Sequence, residues 1–164
     1  MESLKIEVLA HTSRWLTLLV PAQLSCGDEA LKAMLASKVL HGIEAEQGLK
    51  DNFLSAVREL LFNGIEHGGK LDPEVRIRID LLHSNRAISC FVRDPGAGFD
   101  MREMRHAAIN NPPEDAVLHA QVREDNGLRP GGYGILLASS FVDELIYNEH
   151  GNEALIVKYL HSNK

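Results

Sequence analysis

The pattern of apolar residues predicts an α/β two-layer sandwich, in which a mixed, mostly antiparallel sheet carries helices on one face. Three observations lead there. Alternating apolar runs come in pairs joined by short turns, at residues 4–10 with 15–20, 74–82 with 87–92, and 142–148 with 153–160. Two stretches with apolar residues at helical spacing lie between the first two pairs, and a third helical stretch precedes the last pair. With 45% apolar and 24% charged residues over 164 positions, the chain has a globular composition and the length to bury a core as one domain, 1–164.

In chain order, Leu4, Ile6 and Val8 fall on one side of the first run, and Pro21 closes the second, WLTLLV. Leu31, Met34, Leu35, Val39 and Leu40 recur at helical intervals, which predicts a helix over 30–40 that ends at Gly42. A second helix is expected over about 45–67. Next, Val75, Ile77, Ile79 and Leu81 alternate with Arg76, Arg78 and Asp80, so this strand turns one side to the core and the other to water. Ser84-Asn85 turns it into AISCFV, which ends at Arg93-Asp94, and Glu149-His150-Gly151-Asn152 joins the last two strands. Residues 99–129 follow neither period and include Pro112-Pro113; so long a connection is a functional lid or a disordered segment. Asp100 and Glu103 have capping-box spacing for a short helix within it.

Charge and cysteine content exclude several classes. The net charge is −6, from 17 Lys and Arg against 23 Asp and Glu, and no basic cluster stands out, so a nucleic-acid partner is not expected. Cys26 and Cys90, far apart, imply no disulfide framework and fit a reducing compartment. No signal-peptide pattern and no bilayer-length apolar run occurs, so the expected location is the cytoplasm, without a membrane partner. The eight histidines include no HExxH and no pair backed by cysteine at zinc spacing, so a transition-metal site is not expected.

The second helix carries ELLFNGIEHGG, residues 59–69. At about 100° per residue, Leu54, Val57, Leu61 and Ile65 share a stripe, flanked by Phe53, Leu60 and Gly64, that faces the core. Glu59, Asn63 and Glu66 fall opposite. On an arbitrary helix that side is simply solvated. Asn63 argues for more, because Lys, Glu and Gln are better helix formers on a wet face. A carboxylate and a carboxamide four residues apart point two oxygens at one spot. Mg²⁺ takes oxygen ligands and keeps several waters. Asn63 offers it one neutral oxygen, and Glu59, left off the metal, is placed to take a proton from a water or hydroxyl.

Two glycine-rich loops follow. DPGAGFD, residues 94–100, succeeds a strand. A Pro-Gly turn accounts for it as it stands. The alternative is a ligand edge, where Asp94 accepts a hydrogen bond from a ligand amine and Gly96 and Gly98 clear the backbone for a flat ring. RPGGYGI, residues 129–135, leads into a helix, where unpaired N–H groups and the positive dipole end make a phosphate seat. A helix that merely begins is better capped by Ser, Thr, Asp or Asn. Neither loop is a P-loop, since no GK[ST] follows, and no GxGxxG opens a helix after the first strand.

Taken in order, these elements resemble the GHKL superfamily of ATPases, which includes gyrase, heat-shock chaperone, histidine kinase and mismatch-repair ATP sites. The N box corresponds to Glu59 and Asn63 through His67-Gly68, the first glycine box to Asp94, Gly96 and Gly98, and the second to Gly131, Gly132 and Gly134. The small size and the N-terminal strand pair are similar to the bacterial anti-sigma-factor serine/threonine kinases, over nearly the whole chain. The resemblance implies a Bergerat-type ATP-binding fold with ATP and Mg²⁺ as cofactors. Asn63 would coordinate the Mg²⁺, Glu59 would be the general base, Asp94 would accept from the adenine amino group, and Gly96 and Gly98 would admit the base. Gly131, Gly132 and Gly134 would hold the phosphates under a lid over 99–129. His67 ends the N box without an assigned role. Arg123 and Arg129 are either cations for the γ-phosphate or solvated lid charges. Gly64 is expected to let the helix pack close to the sheet. Members often carry a Gly-Thr pair before the last strand, whose threonine helps to fix adenine through water; here Asn152 would stand in for it.

The implied activity is a serine/threonine protein kinase that phosphorylates a small anti-anti-sigma protein and switches partners with a sigma factor, as a homodimer. Other readings stay open: a non-catalytic module that holds ATP and sequesters a partner, or a plain α/β domain with coincidental glycines. A detached histidine-kinase-type ATPase domain is a further one, although no long coiled segment with a phospho-accepting histidine is read ahead of this domain.

Overall fold

A computed structural model describes residues 4–41, 43, 48–97 and 134–161. Among the described residues six strands form one sheet: β1 (Glu7–His11), β2 (Trp15–Pro21), β3 (Arg76–His83), β4 (Ala87–Arg93), β5 (Glu144–Tyr147) and β6 (Glu153–Tyr159), in the order β1-β2-β3-β4-β6-β5. The α/β two-layer architecture is as expected, and every pairing among the described residues is antiparallel. The reason lies in the connections. Pro21 at the end of β2 sits opposite Arg76 at the start of β3, so the intervening helices leave and return at the same end of the sheet. A parallel neighbour would need a crossover to the far end.

The helices are α1 (Leu24–Leu35), the single turn α2 (Lys38–His41), α3 (Leu49–Asn63) and α4 (Gly134–Phe141). The helix expected over 30–40 starts earlier, at Leu24, and is broken near Ser37. The Ser37 hydroxyl donates to the Met34 carbonyl at 2.6 Å, and the Leu40 N–H donates back to Ser37 Oγ at 3.5 Å. A hydroxyl bonded to nearby backbone competes with continued helix and caps the next turn. The restart buries Val39 and Leu40 completely and leaves Leu35 50% exposed.

The core lies between the helices and one side of the sheet. Leu18, Val20, Ile77, Ile79, Leu81, Ile88 and Ile156 supply the sheet side, and Met34, Phe53, Leu61 and Ile65 the helix side, all fully buried. Each contributes roughly 1.5–3 kcal/mol by leaving water. α3 packs against α1, α4, β4 and β6, and so occupies the middle of the helical layer. Cys26 and Cys90 are buried, unpaired core groups. The inward stripe expected on the first run is not found. Leu4 and Val8 are 41% and 56% exposed, while Ile6 packs on the core. β1 is an edge strand, and a register shift between Val8 and Ala10 disrupts its alternation.

Asp80, expected to face water, is only 9% exposed. Its cross-strand neighbour Thr17 donates to Asp80 Oδ1 at 2.6 Å, and Trp15 Nε1 donates to Thr17 Oγ1 at 2.7 Å. Arg78 Nε donates to Asp80 Oδ2 at 2.9 Å. Burial pushes the Asp80 carboxyl up, but the hydrogen bonds from Arg78 and Thr17 outweigh it and hold the group below its usual range. The ionised form is therefore the stabilising one. Its contribution is present above the ordinary carboxylate range and is lost as pH falls through the lowered value. Thr17→Val is expected to lose about 1–2 kcal/mol in urea unfolding at pH 7. That loss should shrink below about pH 4, as the carboxyl protonates; a loss constant from pH 7 to pH 3 would assign the threonine to packing alone.

Candidate functional site

α3 ends in a turn wider than an α-helix. Asn63 is its last α-helical residue, and Gly64–Gly68 forms a π-helical turn, closed by the Gly69 N–H donating to the Gly64 carbonyl at 2.7 Å. The expectation of a regular helix to residue 67 is corrected here. A π-turn fits an extra residue into the coil, so side chains beyond Gly64 leave the α-helical spacing. Three glycines in six residues make the regular helix weak at this point. Lys70 and Leu71 then take left-handed φ values of 52° and 58° and reverse the chain toward β3. Each such conformation costs roughly 1–2 kcal/mol without glycine. The Leu71 N–H donates to the Ile65 carbonyl at 3.0 Å, and Gln23 Nε2 donates to the Leu71 carbonyl at 2.6 Å, which holds the reversal in place.

This turn lies on the end of β4. Asp94 follows Arg93, is half-buried, and presents its carboxylate to Gly68; a Cβ on Gly68 would overlap the carboxyl group. Gly96 closes the other side. A Cβ there would come within 2.8 Å of both Asp94 Oδ1 and the Gly68 carbonyl oxygen. The Gly96 N–H donates to Asp94 Oδ1 at 2.9 Å. Two backbones thus meet around one carboxylate, and glycine is required at both positions. Gly64 behaves differently from the expectation. A Cβ on it would meet Ile77 at 3.6 Å and Asp94 Cβ at 3.9 Å, which is ordinary contact. The close approach belongs to Gly68.

The structure seats the turn after α3, at Gly68, on the strand end that carries Asp94 and Gly96; Glu59 and Asn63 precede that turn on α3, and His67 lies within it. Glu59, Asn63 and Glu66 are half-buried rather than fully solvated, and His67 is exposed. Gly134 is the first residue of α4, which packs along α3. Gly98, Arg123, Arg129, Gly131, Gly132 and the lid over 99–129 lie outside the described residues. Two features escaped the sequence reading. One is the seat of Gly68 on Asp94, signalled only by the glycine pair after His67. The other is a hydrogen-bonded pair, Asn148 and Asn152, at 2.7 Å, flanking the last turn.

Burial raises the Asp94 carboxyl, and the Gly96 N–H draws it only partly back. A carboxylate has about four acceptor positions, and the Gly96 N–H occupies one. A desolvated acceptor at a strand end, beside backbone cleared of side chains, suits the amine of a flat ring. Tyr147 on β5 senses the same charge: burial, and then the Asp94 carboxylate, hold its phenol above the usual range, so it stays neutral.

Residues 24–158 match the profile of the histidine kinase-like ATPase domain. The chain belongs to this family. Serine-protein kinase RsbW of Listeria monocytogenes serovar 1/2a is 28% identical over 149 residues, 88% of this chain and 87% of the relative. Serine-protein kinases RsbW from serotypes 4a and 4b of that species share the same identity, 28%, and coverage. Membership in a family of ATPase domains makes ATP the ligand to test against the Asp94 cradle.

Gly68→Ala is expected to weaken ATP binding by at least about tenfold, because the new methyl must displace the carboxylate, whereas Gly64→Ala should stay within about twofold of wild type. Isothermal titration decides; equal affinities in both variants would mean the carboxylate moves freely. The raised Asp94 carboxyl has a separate consequence. Its stabilising contribution is present below the unfolded carboxylate range and is lost as pH rises through the raised value. Asp94→Asn, which removes the buried charge, should therefore raise the thermal midpoint by about 1–2 °C at pH 7, with a smaller gain at pH 4.

Proposed function

We propose that this chain is an ATP-dependent serine/threonine protein kinase and anti-sigma regulatory factor that acts by partner switching, as a single domain over 1–164. The observation that carries the reading is the seat of Gly68 on Asp94. It joins a half-buried acceptor at a strand end to the helix that bears a carboxylate and a carboxamide at Glu59 and Asn63. One end has the chemistry to receive a base and the other to handle phosphate. The adenine amino group donates to Asp94, and the ring lies over Gly96 and Gly98. Gly131, Gly132 and Gly134, with Arg129, hold the phosphates at the start of α4.

Asn63 would hold Mg²⁺ through one neutral oxygen. Among the described residues no three His, Cys, Asp or Glu side chains converge as a metal-ligating group. Mg²⁺ keeps several waters and would need no such group. When bound, the ion neutralises charge on the phosphates. Glu59 accepts the proton of a serine or threonine hydroxyl while that oxygen bonds to the γ-phosphorus, the bond to the bridging oxygen breaks, and ADP leaves. His67 sits at the exposed rim of the same turn with no assigned role.

The phosphorylated protein in this reading is a small anti-anti-sigma antagonist, and a sigma factor is the alternative partner. The names of the serine-protein kinase relatives support a protein substrate. A homodimer and a cytoplasmic location belong to the same reading. Among the described residues no helix is long and apolar enough to cross a membrane.

The test is incubation with γ-labelled ATP, Mg²⁺ and candidate antagonists. Glu59→Gln should keep ATP affinity within about twofold of wild type and slow label transfer by at least about a hundredfold. Asn63→Ala should weaken binding only when Mg²⁺ is present; identical affinity with and without the substitution in Mg²⁺ would falsify the metal role. Label that never reaches any protein favours a module that holds ATP and sequesters its partner.

A further inference from the structure

The turn between β5 and β6 is built into the Asp94 strand end. Asn152 Nδ2 lies 3.3 Å from the Asp94 carbonyl oxygen and 3.3 Å from the Gly96 carbonyl oxygen. A carboxamide nitrogen has two hydrogens, and this one donates one to each. Its Oδ1 accepts from Asn148 Nδ2 at 2.7 Å. Asn148 Oδ1 in turn accepts the Asn152 and Glu153 N–H groups at 3.1 and 3.2 Å. The Asp94 N–H donates to the Asn152 carbonyl at 3.0 Å. Gly151, with φ of 71°, permits the turn that aligns the two asparagines.

Two carbonyl oxygens on one side and an amide donor on the other dictate which way the Asn152 amide points. Its donors are therefore spent on loop backbone, where the family resemblance led to the expectation of a water-mediated contact to the base. We propose that Asn152, oriented by Asn148, is a positioning residue for base recognition: it grips the carbonyls of Asp94 and Gly96 and so fixes the Asp94 carboxylate at the nucleotide edge. The inference rests on the reading of Asp94 as the acceptor for the adenine amine. The Asp94-Pro95-Gly96 loop belongs to no strand ladder, so its backbone order has to come from such contacts. Asn152 holds both carbonyls and the Gly96 N–H holds Oδ1, so the loop and one carboxylate oxygen are tethered together. A pre-oriented acceptor binds an amine with less ordering entropy lost. It also rejects a ring that presents a carbonyl oxygen at the same edge, because two acceptors then face each other.

The test titrates the full chain with ATP, GTP and tripolyphosphate, each with Mg²⁺. Asn152→Asp keeps the shape but turns an oxygen on two carbonyls, and Asn148→Ala leaves the Asn152 amide in place but removes what orients it. Both are expected to lose about tenfold in ATP affinity, with a matching fall in the ATP-over-GTP preference and no change toward tripolyphosphate. Asp94→Ala, measured alongside, should abolish the preference. If Asp94→Ala keeps the wild-type preference, the reading of Asp94 fails and this inference with it. If Asp94→Ala loses it while Asn152→Asp and Asn148→Ala keep it, the reading stands and the positioning role is overturned. An equal loss for all three ligands makes the asparagines general scaffolding and also overturns the role. Should Asn152→Asp not fold, Asn148→Ala decides alone.

Discussion

A carboxylate withdrawn from water and boxed in by peptide backbone constrains everything around it. Asp94 is enclosed by Gly68 on one side and Gly96 on the other, at distances no side chain allows. Helix and strand therefore cannot shift independently: any slide of the α3 terminus toward β4 collides with the carboxyl group, and any slide away exposes it. The π-turn is the device that reaches this spacing. An α-helical continuation would place different atoms over Asp94, and the added residue carries Gly68 into the gap. The left-handed Lys70 and Leu71 then complete a reversal that is intrinsically unfavourable, so the surroundings must hold it.

Those surroundings act by two separate mechanisms. The helix side is anchored by apolar packing. Ile65, inside the π-turn, is fully buried, and α1 approaches so closely that a Cβ on Gly27 would lie 2.9 Å from Ile65 Cδ1 and 3.0 Å from Phe62. Ile77 lies beneath Gly64 and joins the turn to the centre of the sheet. The strand side is anchored by polar groups, through the asparagine pair of the β5–β6 turn and the Arg93–Glu153 ion pair at 2.9 Å across β4 and β6. Packing density resists displacement in every direction, whereas hydrogen bonds specify orientation. Each mechanism suits the group it holds, because a helix end has to stay put and a carboxylate has to point.

What was legible in the sequence follows from the range of the forces involved. The strand pairs could be read because a sheet buried on one side imposes a period of two, plain in Ile77, Ile79 and Leu81. The core stripe of α3 could be read for the same reason at the helical period. The break at Ser37, by contrast, depends on a hydroxyl choosing its own backbone over solvent, and the apolar spacing runs straight through it. Asp80 read as a solvent-facing charge because alternation cannot register that Thr17 and Trp15 come alongside from a strand more than sixty residues away. Glycine was the hardest to read. Gly64 and Gly68 look alike in sequence, and only the folded arrangement shows that Asp94 lies under the second. The boxes at Glu59 to Gly68 and at Asp94 were recognisable as patterns, yet the contact between them is tertiary and leaves no local trace.

The same contact ties ligand affinity to the folding balance. A half-buried carboxylate disfavours its charged state, as the upward displacement of Asp94 expresses, and the neutral Tyr147 phenol beside it adds no opposite charge. At neutral pH the folded chain therefore carries an unfavourable term, which a hydrogen-bond donor at this carboxylate would offset. Any ligand that bound this carboxylate only in the folded arrangement of Gly68 and Gly96 would stabilise the native chain over the unfolded one. Glu59 and Asn63 stand on the α-helical part of this segment, whereas Asp94 meets the π-turn that follows it. Glu59, Asn63 and Asp94 are all half-buried, so each keeps partial contact with solvent and none is sealed in the core.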